Sequence, residues 1–148
     1  MEANETRNWI NNVLSEISNL NDDEGEKILE KCGRSCCSLS NAPQLAKEIR
    51  SKVIDKDDIN LLFETYKREV YKNSPRLYKE NDTIYQEFHK CGCPMVETIK
   101  NLDPFLCNCT KGYSKAIFEA LFDRQVDVQI LESILRGNKI CKLAVKVV

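Results

Sequence analysis

The sequence predicts an α+β domain in which N-terminal helices pack with a C-terminal antiparallel β-sheet of hairpins, one long helix lying near the C-terminal end. Three observations predict it. Apolar residues recur at helical spacing through the first half; β-branched and aromatic residues alternate in the second; turn-forming pairs punctuate that second half. Helices first and antiparallel strands afterwards is the order of an α+β chain. A chain of 148 residues fits one domain, 1–148, with a helical part over 1–73 and a strand-rich part carrying the cysteine motifs over 76–148. No internal repeat or low-complexity tract interrupts it.

Trp9, Ile10, Val13, Leu14 and Ile17 mark the first helix, with Thr6 as its N-cap. A second runs from about Asp22 to Cys32; Asp22, Asp23 and Glu24 suit its N-terminus electrostatically, and Gly33 is a natural residue to end it. Pro43 opens a third helix with the stripe Leu45, Ala46, Ile49 and Val53. Asp55 precedes the fourth, whose stripe is Ile59, Leu62, Phe63, Tyr66 and Val70, and Ser74-Pro75 stops it. Leu77–Tyr78 and Thr83–His89 flank Asn81-Asp82 as a hairpin. A cysteine-rich connection, Cys91 to Cys109, leads to a helix over 111–123 capped by Thr110. The end reads as a second hairpin turning at Gly137-Asn138, in a register that pairs Ile134 with Cys141 and Glu132 with Leu143.

Composition excludes several classes. Hydrophobic content of 42% and charged content of 30% are those of a globular chain, and the net charge of −1 gives no global field to recruit nucleic acid or an anionic membrane. Charge is uneven: residues 1–30 hold eight acids and two bases, residues 111–148 seven bases and four acids. Both segments are expected to be solvated surface. The start, MEANETRNWINN, has neither the basic nor the apolar region of a secretory signal, and no apolar run approaches a membrane span. Eight cysteines without an export signal are expected to stay reduced in the cytoplasm, where such clusters bind metals or catalyse more often than they cross-link.

Seven of the eight cysteines fall in tight groups: Cys32, Cys36 and Cys37; Cys91-Gly-Cys93-Pro94; Cys107-Asn-Cys109. Cys141 stands apart. Zinc takes about four ligands in a tetrahedron. Two Cys-x-Cys pairs bent by Gly92 and Pro94, with Cys141, make Cys91, Cys93, Cys107, Cys109 and Cys141 the candidate metal ligands. The plainer alternative is that these side chains fill a core as small apolar residues. Cys32, Cys36 and Cys37 form a secondary cluster whose spacing matches none of the usual iron–sulfur runs. A nucleophilic reading places Cys109 at a helix N-terminus, where its thiol pKa would fall, and sets His89, the single histidine, on the same strand face as Cys91. No third, orienting residue marks a catalytic set. Glu132 falls on the apolar face of the terminal hairpin, where a carboxylate needs a partner; a metal, a ligand, a salt bridge or a β-bulge turning it outward would each supply a reason. Glu132 and His89 are the candidate ligand-binding residues.

The run Cys107-Asn-Cys109-Thr-Lys-Gly112-Tyr113, the helix through Phe118-Glu119-Ala120-Leu121-Phe122, Val126-Asp-Val128 and Gly137-x-x-x-Cys141 resembles the end of the 4-vinyl reductase-type small-molecule-binding domain. That domain is similar to a bacterial phenol-sensing module and to haem-based nitric-oxide sensors. The pattern also resembles the L-2-amino-thiazoline-4-carboxylic acid hydrolase-like bacterial family. The resemblance covers about residues 76–148. It implies helices packed on an antiparallel sheet, a pocket between them, and frequent dimers. In the phenol-sensing relatives zinc is held by an upstream Cys, a Glu, a Cys three residues on and a Cys after the hairpin Gly. Carried over on Gly137 and Cys141, these fall near Cys107 or Cys109, on Ile130, on Ser133 and on Cys141. The middle two do not ligate zinc, so a metal here would recruit Cys91, Cys93 or Glu132. A haem ligand is not placed on His89.

The function expected from all of this is a small-molecule-binding or sensing domain with a cysteine-based zinc site. Its expected partners are a small-molecule ligand and a second copy in a homodimer, with no nucleic acid and no membrane. The alternative is a hydrolase of a small cyclic amide or amidine, acting through a cysteine or a metal-activated water. A plain protein-interaction module is the third reading.

Overall fold

A computed structural model describes residues 2–148 and shows a four-stranded antiparallel sheet with helices on one face. The first four helices are α1 (Ala3–Ser18), α2 (Glu24–Ser38), α3 (Ala42–Lys52) and α4 (Ile59–Glu69). A hairpin of β1 (Leu77–Glu80) and β2 (Thr83–Phe88) follows, then the short α5 (Pro94–Thr98) and a 3₁₀ turn, Pro104–Cys107. The long α6 (Asn108–Phe122) leads into β3 (Val126–Glu132) and β4 (Cys141–Val147). The sheet order is β1-β2-β4-β3, all neighbours antiparallel. The α+β expectation and the N-terminal-helix, C-terminal-sheet arrangement stand.

Several boundaries differ from expectation. α1 begins before Thr6, because Glu2 and Glu5 form a reciprocal capping box while Thr6 Oγ1 donates to the Glu2 carbonyl from inside the helix. α6 likewise starts at Asn108, two residues before Thr110. α4 is capped by Asp58, whose Oδ1 accepts from Leu61 N at 3.0 Å. The Asn81-Asp82 turn is as expected, Asn81 adopting φ 55°.

Gly33 does not end α2; the helix runs on to Ser38. The reason is tertiary. A Cβ on Gly33 would collide with the Cys109 carbonyl, and one on Gly112 with the Glu30 carbonyl, so the two glycines let the α2 and α6 backbones touch. Three ion pairs climb the same crossing in step: Lys111–Glu26 at 3.1 Å, Lys115–Glu30 at 2.9 Å and Arg34–Glu119 at 2.8 Å. Both helices ascend the ladder in the same sense. The acidic opening of the chain and its basic end, expected to be solvated, are thus partly neutralised against each other.

The terminal hairpin is also corrected. β3 ends at Glu132 and β4 begins at Cys141, so residues 133–140 form an eight-residue connection in place of a two-residue turn. Gly137 supplies its positive φ, 101°, within that loop. Ile130 pairs with Leu143, and a bulge then sets Glu132 opposite Lys142 instead of Leu143. Ile134 is off the ladder, and Cys141 pairs with Phe88 of β2.

The main core lies between the helices and the inner sheet face: Leu62, Phe63 and Tyr66 of α4, Phe118, Leu121 and Phe122 of α6, Ile84, Leu143 and Val145 of the sheet. A smaller cluster, Leu14, Leu29, Leu102 and Leu106, joins α1 and α2 to the connection before α6. Asn11 fastens it, donating to Asn101 O at 3.0 Å and accepting from Asp103 N at 2.8 Å. This satellite core positions the cysteine-bearing segment.

Candidate functional site: a belt of thiols and a buried polar chain

The connection between β2 and α6 has no strand to satisfy its backbone, so short helical turns do it. Cys93 precedes Pro94 at the start of α5, and Asp103 caps the 3₁₀ turn by accepting from Phe105 N at 2.9 Å. These turns carry Cys91, Cys93 and Cys107 towards the end of the sheet where β4 starts with Cys141. All eight cysteines are free thiols.

Two of the expected ligands, Cys107 and Cys141, make sulfur hydrogen bonds there. Cys107 Sγ lies 3.0 Å from Ser133 Oγ, and Cys141 Sγ accepts from Ile134 N at 3.3 Å. Burial pushes the Cys107 thiol up, Ser133 opposes this, and Cys141 and Cys91 push it further. Burial also raises Cys91, the Cys93 backbone opposes this, and the Cys141 and Cys93 thiols and Glu97 add to the rise. The Cys109 thiol is pushed up to about 12, first by burial, then by Cys32, Cys36, Cys93 and Cys107. Cys109 lies where α6 crosses α2, its backbone carbonyl against Gly33. Only Cys37 of the secondary cluster turns the other way, fully buried in the main core beside Ser40.

Two chemical expectations change. Cys109 is not activated by the α6 N-terminus; burial outweighs the helix field and keeps the thiol protonated, which is a poor nucleophile. His89 and Cys91 do not share a strand face, since β2 ends at Phe88. His89 is exposed, 4.0 Å from Glu87. Glu132 is half-buried beside Lys142, whose ammonium sits 5.2 Å from the Tyr85 ring centroid and 5.9 Å from that of Tyr78. Glu132 thus has a cationic neighbour on the outer sheet face.

As a test of zinc, the donor set is right in kind, thiols beside a hydroxyl. It is not closed. Among the described residues no three His, Cys, Asp or Glu side chains surround a common point at metal-holding distance.

The helix–sheet interior, expected to be a pocket, is occupied by side chains. At its centre is a polar chain that the sequence did not flag. Ser114 Oγ of α6 donates to Gln86 Oε1 of β2, and Gln86 Nε2 donates to Tyr71 OH at 3.1 Å. Gln86 is 2% exposed and Ser114 3%. Tyr66 and Phe118 pack edge to face at 5.8 Å, and Tyr66 lies 5.9 Å from Tyr71. Burial raises both tyrosine pKa values, so both remain neutral hydroxyls. The one signal for Gln86 was its place on the inward side of β2, in phase with Ile84.

The architecture is similar to a solved sensory-domain fold. The phenol-responsive sensory domain of the transcription activator PoxR, solved with phenol, superposes with a TM-score of 0.50 at 14% identity, over 99% of this chain and 75% of that one. At that identity the likeness is one of fold. No curated protein matches the chain. The chain matches over residues 1–148 the family described as "Family of unknown function (DUF6144)" and belongs to it.

Proposed function

We propose that this domain is a small-molecule sensor whose ligand enters between α4, α6 and the sheet and is recognised by Tyr71, Gln86 and Ser114. The buried Ser114–Gln86–Tyr71 chain carries the reading. A core needs no amide at its centre, and three uncharged hydrogen-bonding groups ringed by Tyr66 and Phe118 suit a small aromatic molecule with one hydroxyl. The likeness of fold to a phenol-responsive domain supports the same chemistry and, with it, the resemblance to the 4-vinyl reductase-type domain. The test is calorimetric titration of the reduced chain with phenol and substituted phenols, beside the Gln86→Leu variant. Saturable binding lost in Gln86→Leu supports the reading; identical heats for both proteins overturn it.

Zinc belongs to this proposal as a brace at the sheet end. Cys91, Cys107 and Cys141 would hold it, with Ser133 beside them, once the thiols turn from their present hydrogen bonds. It would supply a fixed joint between the connection and β4. Cys93 and Cys109 would be alternative ligands of the same metal. Glu132 and His89 lie on the outer surface of this end and would take part only at its rim. A homodimer and a cytoplasmic location remain part of the proposal.

The hydrolase alternative would act through a cysteine or a metal-activated water, and its cysteine route requires a reactive thiol. The raised Cys91, Cys107 and Cys109 thiols favour the sensor.

A further inference from the structure

Around Tyr66 most hydroxyl hydrogens are already spent. Tyr113 donates to Ser40 Oγ at 3.3 Å, Ser40 to the Cys37 carbonyl at 2.6 Å, and Ser114 to Gln86 Oε1. Gln86 donates in turn to Tyr71 OH, so this chain runs one way and ends on a tyrosine that accepts without donating. Tyr66 stands further apart: among the described residues its hydroxyl has no hydrogen-bond partner, although the side chain is 3% exposed. No fully enclosed side-chain oxygen or nitrogen among those residues lacks a partner, so the Tyr66 oxygen reaches a small opening. Burial, then Tyr71, Cys37 and Tyr113, raises the Tyr66 pKa; at Tyr71 burial raises it and Gln86 opposes. No charged side chain is among the causes at either tyrosine.

We infer that Tyr66 is the specificity-determining donor of the sensor, reading an uncharged acceptor oxygen on the ligand, an aryl carbonyl being the type. The inference rests on the sensor reading and narrows its ligand. Two hydroxyl hydrogens without an acceptor, those of Tyr66 and Tyr71, belong to rings whose centroids are 5.9 Å apart. A site rich in unspent donors is complemented by a ligand that accepts. An acceptor at Tyr66 would also end the cost of a hydroxyl drawn out of water without a partner. The chain from Ser114 through Gln86 polarises the Tyr71 O–H, which strengthens it as a second donor. A carboxylate would bring a charge into this interior with no cation to meet it, so the acceptor is neutral. A phenol fits through the lone pairs of its oxygen, its ring beside Phe118, which Tyr66 meets edge to face at 5.8 Å.

The test is calorimetric titration of the reduced full-length chain and its Tyr66→Phe variant with acetophenone, which only accepts, and with benzoate, which is charged. Acetophenone is expected to bind saturably to the parent chain and about tenfold more weakly to Tyr66→Phe, the loss of one hydrogen bond. Benzoate is expected to bind more weakly than acetophenone. Equal acetophenone affinity in the two proteins overturns the inference, and so does benzoate binding as tightly as the ketone. A second measurement needs no ligand. Removing an unpartnered hydroxyl should leave the Tm of Tyr66→Phe unchanged or raised; a lowered Tm would mean that the hydroxyl already has a partner, and overturns the inference. Phenol binding that is lost in Gln86→Leu, beside acetophenone binding untouched by Tyr66→Phe, would leave the sensor reading standing and this inference fallen. No binding of phenol or acetophenone by the parent chain would end both.

Discussion

Cys107 on the 3₁₀ turn and Ser133 just past β3 share a 3.0 Å hydrogen bond across 26 residues of sequence. Replacing the serine hydroxyl by a thiol would set a second sulfur beside that of Cys107. Ser133→Cys should therefore tighten Zn(II) binding by about tenfold or more, since thiolate replaces a weak neutral donor. Competition against a zinc chelator measures it. An unchanged affinity would mean that the sheet end does not gather around a metal.

Gly33 and Gly112 leave no space for a methyl group. Substituting Ala recovers about 0.5–1 kcal/mol of helix propensity, but forced separation of two packed backbones costs more, of the order of overpacking a core, about 1–3 kcal/mol or above. Sterics win, so Gly33→Ala and Gly112→Ala should each lower stability in chemical denaturation. A stabilised Gly112→Ala would contradict the close crossing.

Gln86→Leu keeps volume but strands the Tyr71 and Ser114 hydroxyls in the core. The expected loss is about 1–3 kcal/mol. Adding Tyr71→Phe and Ser114→Ala removes the orphaned groups, and stability should return in part. Equal denaturation midpoints for the single and triple variants would show that the three groups are not coupled.

The Cys109 thiol gives a pH signature. Its pKa rises on folding from the ordinary 9.0 to about 12, so the folded chain holds this proton more tightly than the unfolded one. That contribution is complete below pH 9 and is lost as pH climbs through 9 towards 12. Cys91 and Cys107 shift in the same direction. Stability should fall on the alkaline side, and Cys109→Ala should flatten the decline between pH 9 and 10.5, as read by urea midpoints.

Lys115 and Glu30 are the most sheltered rung of the α2–α6 ladder, their side chains 17% and 20% exposed. Partial burial lessens screening. Lys115→Met should cost about 1 kcal/mol and reduce the salt dependence of Tm, whereas removing Arg34, 42% exposed, should change little.

Local order on the chain decided a good deal by itself. The stripe Ile59, Leu62, Phe63, Tyr66 fixed α4, Asn81-Asp82 fixed the first hairpin, and Pro43 fixed the start of α3, because neighbours in sequence set each of these. The presence of grouped cysteines at the connection and at Cys141 was equally readable.

Tertiary packing decided the rest. Gly33 reads as a helix end until the backbone of α6 arrives to occupy the space that glycine leaves. Glu132 reads as an inward acid until a bulge shifts its partner to Lys142. Gln86 passes as an ordinary strand residue until Tyr71 and Ser114 meet it from other elements. Cys109 and Gly33 of α2, more than seventy residues apart, meet only through the helix crossing. Periodicity encodes which face of an element is apolar; which two faces meet, and how closely, depends on contacts that no stretch of sequence contains.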